Sequence, residues 1–134
     1  MKSANIFAAW LFFLCTFFFS CTPIYDNISS SEEILQNGKW SVEFYFNEYD
    51  RTSELFSVRL KFSKNNTVTY CEDADDCMGD WQFIKNVRNE MLLMHFDHSH
   101  PNVQMLNQQW NLEELNLQRV KLSNGSAHLQ LRKI

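Results

Sequence analysis

The chain is predicted to be all-β: an antiparallel up-and-down barrel of about eight strands, preceded by a short N-terminal helix. Short runs in which apolar and polar residues alternate recur from Trp40 to Leu131. Compact turn-forming clusters separate them, and no intervening segment carries the 3.6-residue period of a helix. Closing such a meander on itself also removes the unpaired strand edges that an open sheet would expose.

The first run sets the pattern. Trp40, Val42, Phe44 and Phe46 alternate with Ser41, Glu43, Tyr45 and Asn47, which predicts a strand with one buried and one wet face. Gly38 just ahead of it has no Cβ and permits a sharp entry. Upstream, Ser30 followed three residues later by Glu33 is a capping-box pattern, and Ile34 and Leu35 supply apolar anchors. Asn37-Gly38 supplies a stop, so a helix over 31–36 is expected to lean on the barrel floor beside Trp40.

The remaining strands follow in order. Phe56, Val58, Leu60 and Phe62 alternate with Ser57, Arg59, Lys61 and Ser63, and Lys64-Asn65-Asn66 turns the chain into Val68 and Tyr70. A loop bounded by Cys71 and Cys77 leads to Gly79-Asp80-Trp81 and Phe83, and residues 86–89 turn the chain into 91–96. Past a polar loop, 103–112 and 115–122 are weaker alternating runs. Ser123-Asn124-Gly125-Ser126 reads as a hairpin turn with asparagine-glycine at its centre, and Leu129 and Leu131 mark the last strand. The expected inward set is Trp40, Val42, Phe44, Phe46, Phe56, Val58, Leu60, Phe62, Tyr70, Trp81, Phe83, Met94, Phe96 and Trp110.

The N-terminus has another character. Lys2 gives a short positive region, and 6–19 is apolar apart from Cys15 and Thr16. That stretch is too short to cross a bilayer as a helix, which takes about 20 residues. It ends in Phe18-Phe19-Ser20-Cys21, which resembles the lipobox of bacterial lipoproteins, although Phe18 and Phe19 stand where leucine and a small residue are usual. The resemblance implies cleavage before Cys21 and lipidation of its thiol; an ordinary signal peptide or an uncleaved anchor is the alternative. Residues 1–20 are then a signal peptide, 21–30 a polar tether and 31–134 one barrel domain. Two or more acyl chains hold a protein stably where one does not. The expected location is the cell envelope, at the outer membrane facing the periplasm.

Glycine-x-tryptophan at Gly38 and Trp40 resembles the lipocalin signature. Together with Gly79-Asp80-Trp81, Trp110 with Leu112, and Leu129-x-Leu131-x-Lys133, it makes residues 36–133 similar to small lipocalin-like lipoproteins of Bacteroidota. The resemblance implies that Trp40 plugs the closed end, that a basic residue lies over its indole, and that the interior takes a small apolar ligand. Arg132 matches the basic residue by type, while Lys133 shares a face with Leu129 and Leu131 and is better placed. Phe44, Val58, Tyr70, Phe83 and Met94 are the candidate ligand-lining residues.

Composition excludes some partners. A formal net charge of −4 without clustered lysine and arginine argues against nucleic acid. With Cys15 removed and Cys21 lipidated, Cys71 and Cys77 are left, and one pair in an exported chain is expected to form a structural disulfide. His95, His98 and His100 around Asp97 are weak metal candidates, because nothing completes a tetrahedral set, and no cofactor is expected. The acidic run 72–76 lacks EF-hand spacing. No glycine-flanked nucleophilic serine and no phosphate-cradling glycine loop is present, so no enzyme is expected.

Two functions remain: a carrier of a small apolar molecule, or a barrel filled by its own side chains that binds a protein or glycan through its outer face or loops. Both rest on the anchor. Mass spectrometry of membrane-extracted protein is expected to show acylated Cys21 and no residues 1–20. Cys21→Ser should release the protein or stall its maturation; equal processing and equal membrane retention would refute the anchor.

Overall fold

The computed structural model describes residues 30–134; the leader, Cys21 and the tether up to residue 29 lie outside the described residues. Ser30 caps helix α1 (Ser31–Gln36), its hydroxyl accepting from the Glu33 amide at 3.3 Å. The expected helix is therefore present, with Leu35 fully buried. Gly38, at φ 108°, swings the chain from α1 into strand β1 (Trp40–Asn47). A two-residue strand β2 (Tyr49–Asp50) and a 3-10 turn (Thr52–Glu54) lead to β3 (Val58–Phe62). There follow β4 (Thr67–Glu72), β5 (Asp75–Lys85) and β6 (Glu90–Phe96). Helix α2 (Pro101–Leu106) precedes β7 (Gln109–Leu115), β8 (Arg119–Asn124) and β9 (Ala127–Lys133).

Strands β3 to β9 pair in sequence order, all antiparallel, and β1 pairs with both β3 and β9. The result is a closed eight-stranded barrel with β2 hooked on the edge of β1, as the alternating runs predict. Turn chemistry explains the tight joins. Asn66, at φ 61°, turns β3 into β4, and Gly125, at φ 57°, turns β8 into β9. The last turn is centred on Gly125-Ser126, one residue later than expected, because Asn124 and Ala127 are already ladder partners.

Both ends of the barrel are closed, and a tryptophan ties each closure. At one end the Trp40 indole N–H donates to the Leu35 carbonyl at 2.9 Å, which seats α1 on the floor as expected. At the other, the Trp110 N–H donates to the Leu106 carbonyl at 3.2 Å and ties α2 over the opening. Indoles in a core need such a partner for their one donor. Helix α2 corrects the expectation of a strand over 103–112. Pro101 at its first position and His100 as its cap start a helix there, which buries Val103 and Leu106 and packs half-buried Met105 against the core.

The inward set also needs correction in β1. Its ladder with β9 shifts by one residue between Val42 and Phe44, leaving Glu43 as the extra residue of a bulge. Beyond the bulge every face is exchanged: Tyr45 is fully buried, whereas Phe44 is 37% exposed and Phe46 pairs with exposed His128. Phe56 lies in the connection before β3 and is 73% exposed. The other members expected inside are buried, apart from half-buried Phe83.

Gly79 belongs to the close packing of β5 on β6. A Cβ there would sit 2.6 Å from Cδ1 of Phe96 and still closer to the His95 carbonyl oxygen. Gly79→Ala must push two paired strands apart, and overpacking of this kind costs about 1–3 kcal/mol. Thermal melting is expected to fall by several degrees; a wild-type melt would show that β5 and β6 are not packed this closely.

Candidate functional site

The chemistry-bearing side chains expected from the sequence gather at the α2 end. Tyr70 and Glu72 of β4, Asp76 and Cys77 of β5, His98 and His100 of the connecting loop, and Val103 of α2 line a cavity of about 30 Å³. The space matches about one water molecule. The Tyr70 hydroxyl donates to Glu72 Oε2 at 2.6 Å, and burial together with that carboxylate drives the phenol well above its ordinary range. Glu72 also accepts from Asn102 Nδ2 at 3.0 Å and from Ser57 Oγ at 3.4 Å. Asn102 spends a second N–H on the Glu54 carbonyl at 3.0 Å. One asparagine thus joins α2 to both β4 and the β1–β3 connection.

Among the described residues Cys71 and Cys77 are free and not bridged to each other, contrary to the expected disulfide. Their ladder partners give the reason. Cys77 pairs with inward Tyr70, while Cys71 pairs with Asp76, so the thiols stand on opposite faces of the sheet. The β4–β5 hairpin is tight, with Glu72 opposite Asp75 and Asp73 at φ 50°, so the cysteines lie within the strands rather than flanking a loop. A bridge would require a one-residue slip that turns every side chain of one strand over. Burial first, and Asp76 second, push both thiols above the ordinary cysteine range.

The histidines do not assemble a metal set: among the described residues no three His, Cys, Asp or Glu side chains converge on one ion. His95 is exposed and pairs with exposed Asp80 on the outer face. His98 Nδ1 accepts from the His100 amide at 3.1 Å, and His100 Nδ1 accepts from the Asn102 amide at 3.2 Å. Both lone pairs are engaged, and a neutral ring then holds its proton on Nε2, which blocks the second nitrogen.

Of the ligand-lining candidates, Val58, Tyr70 and Met94 are interior and less than 3% exposed. Phe83 is half-buried and lines a surface depression of about 290 Å³ with Ser30, Ser31, Glu32 and Lys85. Phe44 is outside and is withdrawn from the interior set. Two further depressions, of about 660 and 490 Å³, are lined by Asn116–Arg119 with Arg132, and by residues 86–90 and 112–115 with Ser31. None of these four spaces is bounded by Val58, Leu60, Phe62, Trp81 or Met94.

At the floor, Lys133 is the ladder partner of Trp40, and its Cε lies 2.9 Å from where a Gly38 Cβ would stand. Arg132 instead pairs with Ser41 on the outer face and approaches Glu43 at 3.9 Å. The register thus sets Lys133, and not Arg132, opposite Trp40. Sequence reasoning missed Tyr45, whose hydroxyl is buried without a hydrogen-bond partner among the described residues, and Asn107, whose side chain pairs with both the N–H and the carbonyl of Phe96. No local signal marks either, since both roles follow from tertiary register.

The free thiols have a measurable signature. Alkylation of the folded protein without reductant is expected to label both cysteines, slowly at neutral pH and faster as pH rises, because the raised thiols ionise only in alkali. Peptide mapping that instead finds a reducible 71–77 bridge would require a different β4–β5 register.

No family model matches the chain, and no curated protein does. Solved structures do. A DUF4847 family protein from Bacteroides vulgatus superposes with a TM-score of 0.56 at 14% identity, covering 75% of this chain and 95% of that one. An uncharacterized protein from Bacteroides eggerthii gives 0.51 at 15% identity, over 72% and 98% of the two chains. A lipocalin-like protein from Bacteroides uniformis gives 0.50 at 15% identity, over 75% and 99%. At such identities the likeness concerns the fold, and the fold of this chain is that of a lipocalin-like β-barrel.

Proposed function

We propose that this chain is a lipid-anchored lipocalin-like barrel of the cell envelope that binds a protein partner through aromatic side chains displayed at the end of β1 and in the connection that follows. The observation that carries the reading is the Glu43 bulge: it turns Phe44 and Phe46 outward, while the inward side chains of the strands form one continuous buried cluster. Tyr49, 57% exposed under the Arg51 guanidinium at 5.6 Å from its ring centre, and Phe56, 73% exposed, extend the display. Aromatic residues and arginine are the types that carry most binding energy at protein interfaces.

A carrier of a small apolar molecule is the second reading. The lipocalin-like fold favours it, and so does the unpartnered Tyr45 hydroxyl, an interior group to which a ligand could donate. Its difficulty is volume. Ligand sites usually offer about 300–1,000 Å³, whereas the cavity reaching inward Tyr70 and Cys77 holds about 30 Å³.

Two substitutions separate the readings. In a filled barrel Val58→Trp overpacks the core and is expected to cost about 1–3 kcal/mol, and wild type should bind no apolar fluorophore. Phe44→Ser with Phe46→Ser should lower the melt less than Val58→Trp does and abolish site-specific photo-crosslinking of the envelope partner from position 49. Fluorophore binding by wild type, lost in a stable Val58→Trp variant, would establish the carrier instead.

A further inference from the structure

Three exposed apolar side chains take no part in the aromatic display of β1 and its connection. Val87 is 105% exposed in the β5–β6 turn, Leu117 57% in the β7–β8 turn, and Ile134 61% after β9. All three stand at the floor end of the barrel. The strand pairing closes both turns there, and the Ile134 N–H donates to the Lys39 carbonyl at 3.0 Å, next to Trp40. Each has a base close by in the chain: Arg88 after Val87, Arg119 two residues past Leu117, and Lys133 before Ile134. The chain also enters the fold at this point. The Ser31 hydroxyl donates to Glu90 at 2.9 Å, and Ser31 shares the depression of about 490 Å³ with Val87 and Arg88. Cys21 stands nine residues ahead of Ser30, a reach of about 30 Å at full extension.

We propose that the floor end docks directly on the anionic lipid surface that holds the Cys21 anchor, with Val87 and Leu117 entering the headgroup layer and Arg88 and Lys64 meeting lipid phosphates. The inference rests on the lipid-anchored reading above. Lys64 stands exposed in the β3–β4 turn at the same end, and no ion pair among the described residues engages it or Arg88. Charge orients the barrel. The opposite end carries Glu48, Asp50 and Glu54 in the β1–β3 connection and Glu72, Asp73 and Asp76 at the β4–β5 hairpin, with Arg51 among them. The floor is mixed in sign, since Glu32, Glu33 and Glu113 stand among its bases. An anionic surface therefore repels the acidic end and turns the floor toward itself.

Single exposed apolar residues are ordinary on protein surfaces. These are set apart by their common end and by the tether that leaves beside them. They sit on separate turns rather than in one continuous patch. A rigid protein partner needs matched shape across such gaps, whereas a fluid headgroup layer takes each tip independently. An apolar side chain inserts at the acyl boundary while a neighbouring base stays among the phosphates. The contact is small and need not hold the protein alone. A short tether keeps the floor at high effective concentration near the bilayer, so a weak interaction is enough to fix the orientation. Docked this way, the barrel presents Tyr49 and Phe56 away from the membrane, where a partner can reach them.

The test is fluorescence quenching of membrane-extracted chain reconstituted into vesicles of phosphatidylglycerol and phosphatidylethanolamine. Val87→Trp and Leu117→Trp each place an indole at the floor, and Phe56→Trp places the same indole at the other end; buried Trp40, Trp81 and Trp110 give a common background. Brominated acyl chains are expected to quench the indole at positions 87 and 117 several-fold more than at 56, and aqueous iodide to do the reverse. Phosphatidylcholine in place of phosphatidylglycerol, or about 1 M salt with its screening length of about 3 Å, should reduce the lipid quenching at 87 and 117. The mass of the extracted chain is read first: a chain without acyl groups overturns the anchor and the docking together. In an acylated chain, equal quenching at all three positions, or lipid quenching indifferent to lipid charge and salt, overturns the docking alone. Floor positions screened from iodide yet not quenched by lipid would do so too, and would mean that a protein or a second copy covers the floor.

Discussion

One extra residue in β1 governs much of this molecule. Strand β1 must pair with β3 at its start, through Trp40 and Ser41, and with β9 along its length. Glu43 is inserted between those duties, and its carboxylate is held on the outer face by Arg119 at 3.2 Å and by Gln130 and Arg132. Hydrogen bonding from Gln130, and the two arginines beside it, keep the Glu43 carboxyl below its ordinary range, so the bulge is charged at neutral pH. Everything after it in β1 is displaced by one residue, which closes the barrel with Tyr45 inside and two phenylalanines outside. A bulge raises local twist and re-aims side chains, both of which a small closed barrel requires.

Past the bulge β1 no longer pairs with β3, and its free edge must be satisfied in another way. The Thr52 hydroxyl accepts from the Tyr45 N–H at 2.9 Å, while the Tyr45 carbonyl accepts from the Arg51 N–H at 2.9 Å. Asp50 orients Thr52 by accepting from both its hydroxyl and its amide, and those bonds hold the Asp50 carboxyl low. A side-chain turn thus substitutes for a neighbouring strand. The edge is covered, and the same loop carries Tyr49 and Phe56 into solvent.

The two helices give the ends different characters. Helix α1 is seated by Trp40, by buried Leu35 and by the Ser31 hydroxyl donating to Glu90 at 2.9 Å. Helix α2 is seated by Trp110 and Asn107 at one end and by Asn102, capped by His100, at the other. The floor is therefore closed by apolar packing around Trp40 and Leu35, whereas the opposite end is lined by polar side chains. Between them the buried side chains of the strands form one continuous apolar cluster.

Local chemistry alone determined a good part of this. The Ser30 cap, the Gly38 turn, the alternation of β3, β4 and β9, and the placing of Lys133 rather than Arg132 beside Trp40 each depend on residues a few positions apart, and all were legible in the chain. The tertiary structure decided what depends on register. Phe44 and Phe46 read as interior because alternation was carried straight through Glu43. Cys71 and Cys77 read as a bridged pair because spacing does not reveal which partner residue each one faces. Residues 103–106 read as strand because α2 draws its stability from covering an open barrel end, not from a periodic pattern six residues long. In a β-barrel a shift of one residue reverses inside and outside, and the energy that selects the shift lies in the opposing strand, far away in sequence.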